Sequence, residues 1–159
     1  LMSRPHEVMD FGDPENPTLM ESLLSACGAE MVDFPLKTAC CGASFGIPER
    51  PMTARNSGRI LELASRLGVD AVVVACPLCQ MNLDLRQKQA AKETGSAFHL
   101  PVLYYTQVMG LAFDLPWEKL GLSKLCVSAD PLIAKLKDLR RADAVTQTAK
   151  NRAGEGGRS

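Results

Sequence analysis

The sequence carries no net charge, with 18 Lys and Arg against 18 Asp and Glu in 159 residues. It therefore lacks the global basic field that gathers nucleic acid, and no nucleic-acid partner is expected. No apolar run approaches the ~20 residues that a membrane-crossing helix needs, so membrane insertion is not expected. No charged segment followed by an apolar one opens the chain as a secretory leader would, and the expected location is cytoplasmic. The two histidines, His6 and His99, have no partner at metal-ligand spacing and read as surface or loop residues. Internal repeats, a phosphate-binding P-loop, HExxH and GxSxG are all missing. GASFG at 42–46 is not the dinucleotide fingerprint, which requires GxGxxG after a strand.

What is present is a chain of single-domain length. With 46% apolar residues, it can build a core without disulfide staples. The charge is unevenly spread: residues 1–50 hold 3 basic and 8 acidic side chains, residues 135–159 hold 7 basic and 3 acidic. The basic end coincides with a polar tail. Leu1, not Met, opens the chain, which reads as a fragment lacking its N-terminal part.

Hydrophobic periodicity predicts the following order. DFGDPENP (10–17) is a turn-rich loop. Residues 18–27 form a helix, with Thr18 and Glu21 at capping-box spacing and Gly28 as its stop. EMVDF (30–34) is a short strand ended by Pro35, and residues 37–51 form a long loop around a cysteine pair. Residues 53–67 form a second helix, closed by Gly68. DAVVVA (70–75) is apolar throughout, as a strand buried on both faces should be. Residues 76–94 form a third helix, with Leu78, Met81, Leu85 and Ala91 on its apolar side. VLYYTQVMGLAF after Pro101 is a shorter buried helix, with Tyr104 and Tyr105 packed in the core. DPLIAKLKDLRRAD is a last amphipathic helix. The domain is thus residues 1–143, and 144–159 is a disordered polar tail. The fold class is α/β, a parallel sheet flanked by helices, with the cysteine site at the carboxyl ends of the strands.

Six cysteines, at 27, 40, 41, 76, 79 and 126, carry the chemistry. Without a secretion signal, metal or redox use is favoured over a disulfide framework. Cys76-Pro77-Leu78-Cys79 lies at a strand-to-helix junction, where backbone N–H groups and the helix dipole favour thiolates. A CxxC by itself serves zinc, iron–sulfur or dithiol redox sites alike. Cys40-Cys41-Gly42 narrows the choice. Adjacent residues direct two sulfurs at one tetrahedral zinc only with difficulty, and reach two metals of one cluster more easily. Gly42 lets the backbone turn away or inorganic sulfide come close. With 34 residues between Cys41 and Cys76, the two groups are expected to converge, while Cys27 and Cys126 stay apart as inert, structural thiols, Cys27 buried on the apolar face of its helix. Arg86 and Lys88 read as the solvated face of the third helix.

CCG followed by CPLC resembles the cysteine-rich CCG domain found in the B subunit of heterodisulfide reductase. SRPHEVMDFGDPENPT, ACCGASFGIPERP, VVVACPLCQMNLDLRQ and LPVLYYTQVMGLAF extend the likeness to the C-terminal half of that subunit, over roughly residues 1–139. CCG domains also occur in succinate dehydrogenase-like, glycolate oxidase and lactate-utilisation proteins. The resemblance implies that Cys40, Cys41, Cys76 and Cys79 are four of five thiol ligands of a noncubane [4Fe–4S] cluster at which a disulfide is reduced or formed. It implies iron–sulfur and flavin partner subunits and a small disulfide or thiol substrate. The fifth cysteine is expected upstream of Leu1, since Cys27 lies only 13 positions before Cys40 and on a helix. The chain alone is accordingly expected to hold little stable cluster and to turn over no disulfide. A zinc-binding or plain electron-transfer module without substrate is the alternative, and a thioredoxin-like dithiol enzyme using only Cys76 and Cys79 is a third reading.

Overall fold

The computed structural model describes residues 12, 13 and 15–155, with side chains described as far as residue 142. His6 and the first part of the 10–17 loop lie outside the described residues. The chain divides into two compact units, one ending at Val127 and the other beginning at Ser128. The first holds the cysteine motifs.

Helix α1 spans Leu19–Ala26 and helix α2 spans Arg50–Arg66. Strand β1 (Val72–Val74) follows, then helices α3 (Pro77–Leu85) and α4 (Gln87–Thr94). Strand β2 (Val102–Tyr104) leads into helix α5 (Tyr105–Ala112). β1 and β2 pair in parallel, with Val72 opposite Val102 and Val74 opposite Tyr104. The α/β class expected from the sequence holds, as a two-stranded parallel sheet among helices.

The strands themselves are not the expected pair. Residues 30–34 form no ladder, and Met31 and Val32 are exposed, while Phe34 packs against the core. The partner of β1 is instead the start of the segment read as a helix after Pro101. Its β-branched and aromatic VLY suits a strand, and Val102 and Leu103 are fully buried. Gln87 fixes the entry to β2: its side-chain amide donates to the Leu100 carbonyl at 2.6 Å and accepts from the Leu100 N–H at 3.2 Å. β1 is half-buried along its length, not enclosed on both faces.

The third helix is also corrected. It breaks at Arg86, whose φ of −102° and ψ of 14° end α3 and begin α4. Its buried side chains are Asn82, Leu83 and Asp84, while Leu78, Met81 and Leu85 are each at least half exposed. The polar residues face inward because backbone groups of two loops need partners there. Asp84 accepts from the N–H groups of Cys126 and Val127 at 2.7 and 3.0 Å.

The core is built by Cys41, Ile60, Leu61, Leu83, Ala90, Phe98 and Val102. Gly58 lets α2 and α4 lie close, since a Cβ there would strike Thr94 Cγ2. The capping box expected at Thr18 does not form; Glu21 pairs with Lys37 at 2.8 Å and so ties α1 to the loop before the CCG motif. In the second unit, helix α6 runs Asp130–Glu155. Its backbone covers residues 144–155, the part of the expected tail that falls within the described residues.

Candidate metal centre

The site is a meeting of two loops. One is the CCG loop between α1 and α2, which carries a single 3₁₀ turn at Ala43–Phe45. The other is the junction where β1 turns into α3. Cys76 is the N-cap of α3, with Pro77 in the first turn, where its missing N–H costs nothing. The CPLC motif therefore sits at a strand end, as its sequence predicts. The CCG loop does not: no strand precedes it in the described residues, and tertiary hydrogen bonds hold it.

Those bonds centre on the backbone of Cys41 and Gly42. The Cys41 carbonyl accepts from Asn82 Nδ2 at 3.2 Å and Ser57 Oγ at 3.3 Å, and Asn82 Nδ2 also donates to Ser57 Oγ at 2.8 Å. Thr53 Oγ1 donates to the Gly42 carbonyl at 3.0 Å. All three side chains are buried, so each bond replaces one that water cannot supply. Arg86 donates to the Gly46 carbonyl at 3.1 Å and to Gln89 Oε1 at 3.0 Å. It is thus a clamp on the CCG loop, not a member of a purely solvated face.

Gly42 is required by conformation, and the space above it is tight. Its φ is +77°, the left-handed region, and a Cβ there would stand 3.2 Å from Asn56 Nδ2 and 3.5 Å from Thr53 Cα.

The two motifs touch through sulfur. Cys41 Sγ and Cys79 Sγ are 3.3 Å apart, a hydrogen-bond contact well beyond the ~2.05 Å of a disulfide. Cys41 is 1% exposed, whereas Cys76 and Cys40 are exposed and Cys79 is half-buried. The hydrogen bond from Cys79 lowers the Cys41 thiol to about 6, against opposition from burial; the Ala43 N–H and the Asn82 amide act in the same direction as Cys79. Cys79 is raised, first by that same bond, then by burial, by the Cys41 charge and by Cys76. The pair is one thiolate holding one proton. Cys40 lies outside this contact. Its Sγ accepts from the Gly42 N–H at 3.4 Å, and it borders a separate hollow.

Among the described residues, no three Cys, His, Asp or Glu side chains are arranged as a preformed metal site. The donor set nevertheless has the chemistry of one. It is all sulfur, one member is already favoured as thiolate, and soft thiolates select iron–sulfur clusters or zinc over hard cations. Cys41 is buried against Cys79, so a bound group would replace a sulfur contact, not a shell of water. Cys27 is half-buried at the C-cap of α1 instead of fully buried on the apolar face; its N–H donates to the Leu23 and Leu24 carbonyls. Cys126 is exposed. Both stand apart from the sulfur contact. The residues that sequence reasoning missed are Thr53, Ser57, Asn82 and Arg86. The local pattern held no signal for Asn82, because the apolar side read for residues 76–94 sets it toward solvent.

A model of the CCG cysteine-rich domain matches residues 5–84, half of the chain, and takes in all four motif cysteines. The chain belongs to the CCG cysteine-rich domain family. Among curated proteins, it is 35% identical over 129 residues to the 8-methylmenaquinol:fumarate reductase membrane anchor subunit of Wolinella succinogenes, covering 81% of this chain and 45% of that protein. It is 33% identical over 140 residues to the B subunit of the ferredoxin:CoB-CoM heterodisulfide reductase of Methanosarcina mazei, covering 86% of this chain and 46% of that relative. A protein of Archaeoglobus profundus, named for its likeness to the heterodisulfide reductase B subunit, is 28% identical over 133 residues, with 81% of this chain and 44% of that protein covered. The CCG chain thus spans just under half the length of these curated relatives. No helix among the described residues is long and apolar enough to cross a membrane.

Proposed function

We propose that this CCG domain is part of an iron–sulfur oxidoreductase subunit in which Cys40, Cys41, Cys76 and Cys79 hold a [4Fe–4S] cluster of noncubane type, and that a small disulfide is reduced or formed there. The observation that carries the reading is the 3.3 Å contact of Cys41 with Cys79, which joins motifs 38 positions apart. The heterodisulfide reductase names among the relatives support the disulfide. When bound, the cluster supplies electrons at the place where the disulfide's sulfurs arrive. The chain's own residues fix the loop that presents them. Asn82, Ser57 and Thr53 hold the Cys41–Gly42 backbone, and Arg86 holds Gly46. Burial of Cys41 keeps water from that sulfur, while Cys40 and Cys76 are exposed. Electrons would come from iron–sulfur and flavin partner subunits, in the cytoplasm.

The likeness to a fumarate reductase subunit favours a second reading, a cluster that only passes electrons. Anaerobic loading of the whole subunit with iron and sulfide separates the possibilities. Retained iron should fall to background in Cys41→Ser and Cys79→Ser and persist in Cys27→Ser and Cys126→Ser. Zinc retained in place of iron, or equal loss in Cys27→Ser, would overturn the assignment. Spectral change of the loaded protein on adding a disulfide supports disulfide chemistry; its absence supports electron transfer alone.

A further inference from the structure

Beside Cys40, the loop before the CCG motif and helix α2 leave a hollow of about 250 Å³. It is lined by Leu36, Ala39, Cys40, Asn56, Arg59 and Ile60. Three features make it more than a surface dimple. Cys40, an exposed residue, forms part of its wall. Leu36, Ala39 and Ile60 give it an apolar side. Arg59 and Asn56 bring a guanidinium and an amide, and neither side chain makes a hydrogen bond or ion pair among the described residues.

Other cations of this loop and of α2 are paired. Lys37 is held by Glu21 at 2.8 Å, Arg66 by Glu62 at 2.7 Å, and Arg55 lies 4.0 Å from Glu93. Among the described residues, Arg59 is therefore the uncompensated cation at this wall. One cation suits one negative charge. The planar fork of a guanidinium fits a carboxylate through two parallel bonds, and the Asn56 amide adds a further donor. The volume lies below the ~300–1,000 Å³ of drug-sized ligand sites, so the occupant is small.

We infer that this hollow is a recognition site for the carboxylate of a small aliphatic thiol or disulfide: Arg59 and Asn56 take the carboxylate, Leu36 and Ile60 pack against its methylenes, and its sulfur is directed to the Cys40 side of the centre. The carboxylate site stands on the geometry of the hollow. The identity of the sulfur end rests on the disulfide chemistry proposed above.

The test uses the reduced, metal-free chain and follows backbone amide signals of Cys40, Asn56 and Arg59 by nuclear magnetic resonance. The probes are 3-mercaptopropanoate, its neutral amide, and 3-mercaptopropane-1-sulfonate, each titrated through the millimolar range. Saturable shifts are expected with the carboxylate, weakened by added salt and absent with the amide. Arg59→Gln should weaken binding at least about tenfold, the loss of one charge-assisted pair, and Arg59→Lys should weaken it less. Arg59 is exposed, so these variants fold. Equal binding of acid and amide, tighter binding of the sulfonate, or full affinity in Arg59→Gln overturns the inference. Cluster loading is read separately. A whole subunit that loads iron while the chain ignores the carboxylate refutes this site alone, and a chain that binds the carboxylate while the whole subunit loads no iron refutes the cluster alone.

Discussion

Replacing Asn82 by alanine tests whether tertiary hydrogen bonds, and not a strand, hold the CCG loop. Asn82 is 1% exposed and donates to both the Cys41 carbonyl and Ser57 Oγ. Each bond contributes about 1 kcal/mol net, and the vacated amide volume adds packing loss, for a total of about 2–3 kcal/mol. That is a large share of the ~5–15 kcal/mol that holds a typical domain together. Ser57 keeps its bond to the Cys41 carbonyl, so the loop should loosen without the fold being lost. Urea denaturation of the reduced, metal-free chain, followed by circular dichroism, should show the midpoint falling by about 1–2 M with the slope unchanged, for a slope of ~1–3 kcal/mol per M. Ser57→Ala should cost about 1 kcal/mol, and the double variant less than the sum, because the three groups form one network. Asn82→Asp keeps the shape but sets a carboxylate near Cys41 in place of a donor. It should therefore also raise the Cys41 titration, since like charge disfavours the thiolate. A midpoint shift in Asn82→Ala below about 0.3 M, given such slopes, or strict additivity with Ser57→Ala, would refute the reasoning.

Two further outcomes follow from the same contacts. In the metal-free chain, ultraviolet thiolate absorbance should show one cysteine titrating near pH 6, assigned to Cys41 by its loss in Cys41→Ser and by its upward movement in Cys79→Ala, which removes the hydrogen bond that lowers it. Between about 6 and 9.0 the unfolded thiol still holds the proton that folded Cys41 has released, so this group adds stability as pH rises through that window and loses it as pH falls toward 6. Cys79, raised by its partner, has the opposite sign, and its contribution is lost as pH climbs past the ordinary thiol range; urea midpoints measured across pH should rise and then fall. Gly42→Ala should cost about 1–2 kcal/mol and reduce iron loading, because a Cβ at φ +77° must also displace the Asn56 amide; unchanged loading and stability would show that the turn is not required.

Local chemistry settled much of this protein. The apolar period fixed α1 and α2, the Val-rich run fixed β1, and CCG with CPLC pointed to the family before any contact was known; it also singled out the four cysteines of the proposed site. Cys76 at a strand-to-helix junction was also legible, because an apolar run meeting a proline in a first turn is a local event. The tertiary structure decided what local patterns leave ambiguous. VLY after Pro101 could be helix or strand by its run of apolar residues; it is a strand because β1 lies beside it. EMVDF has strand composition but finds no partner among the described residues, and a strand without a ladder is not one. The apolar side of residues 76–94 sets Asn82 and Asp84 toward solvent, yet they point inward because the Cys41 carbonyl and the Cys126 and Val127 N–H groups need them. Which two of four thiols touch, and which arginine stands beside Cys40 with no acid committed to it among the described residues, depends on where distant segments meet, and no spacing along the chain encodes that.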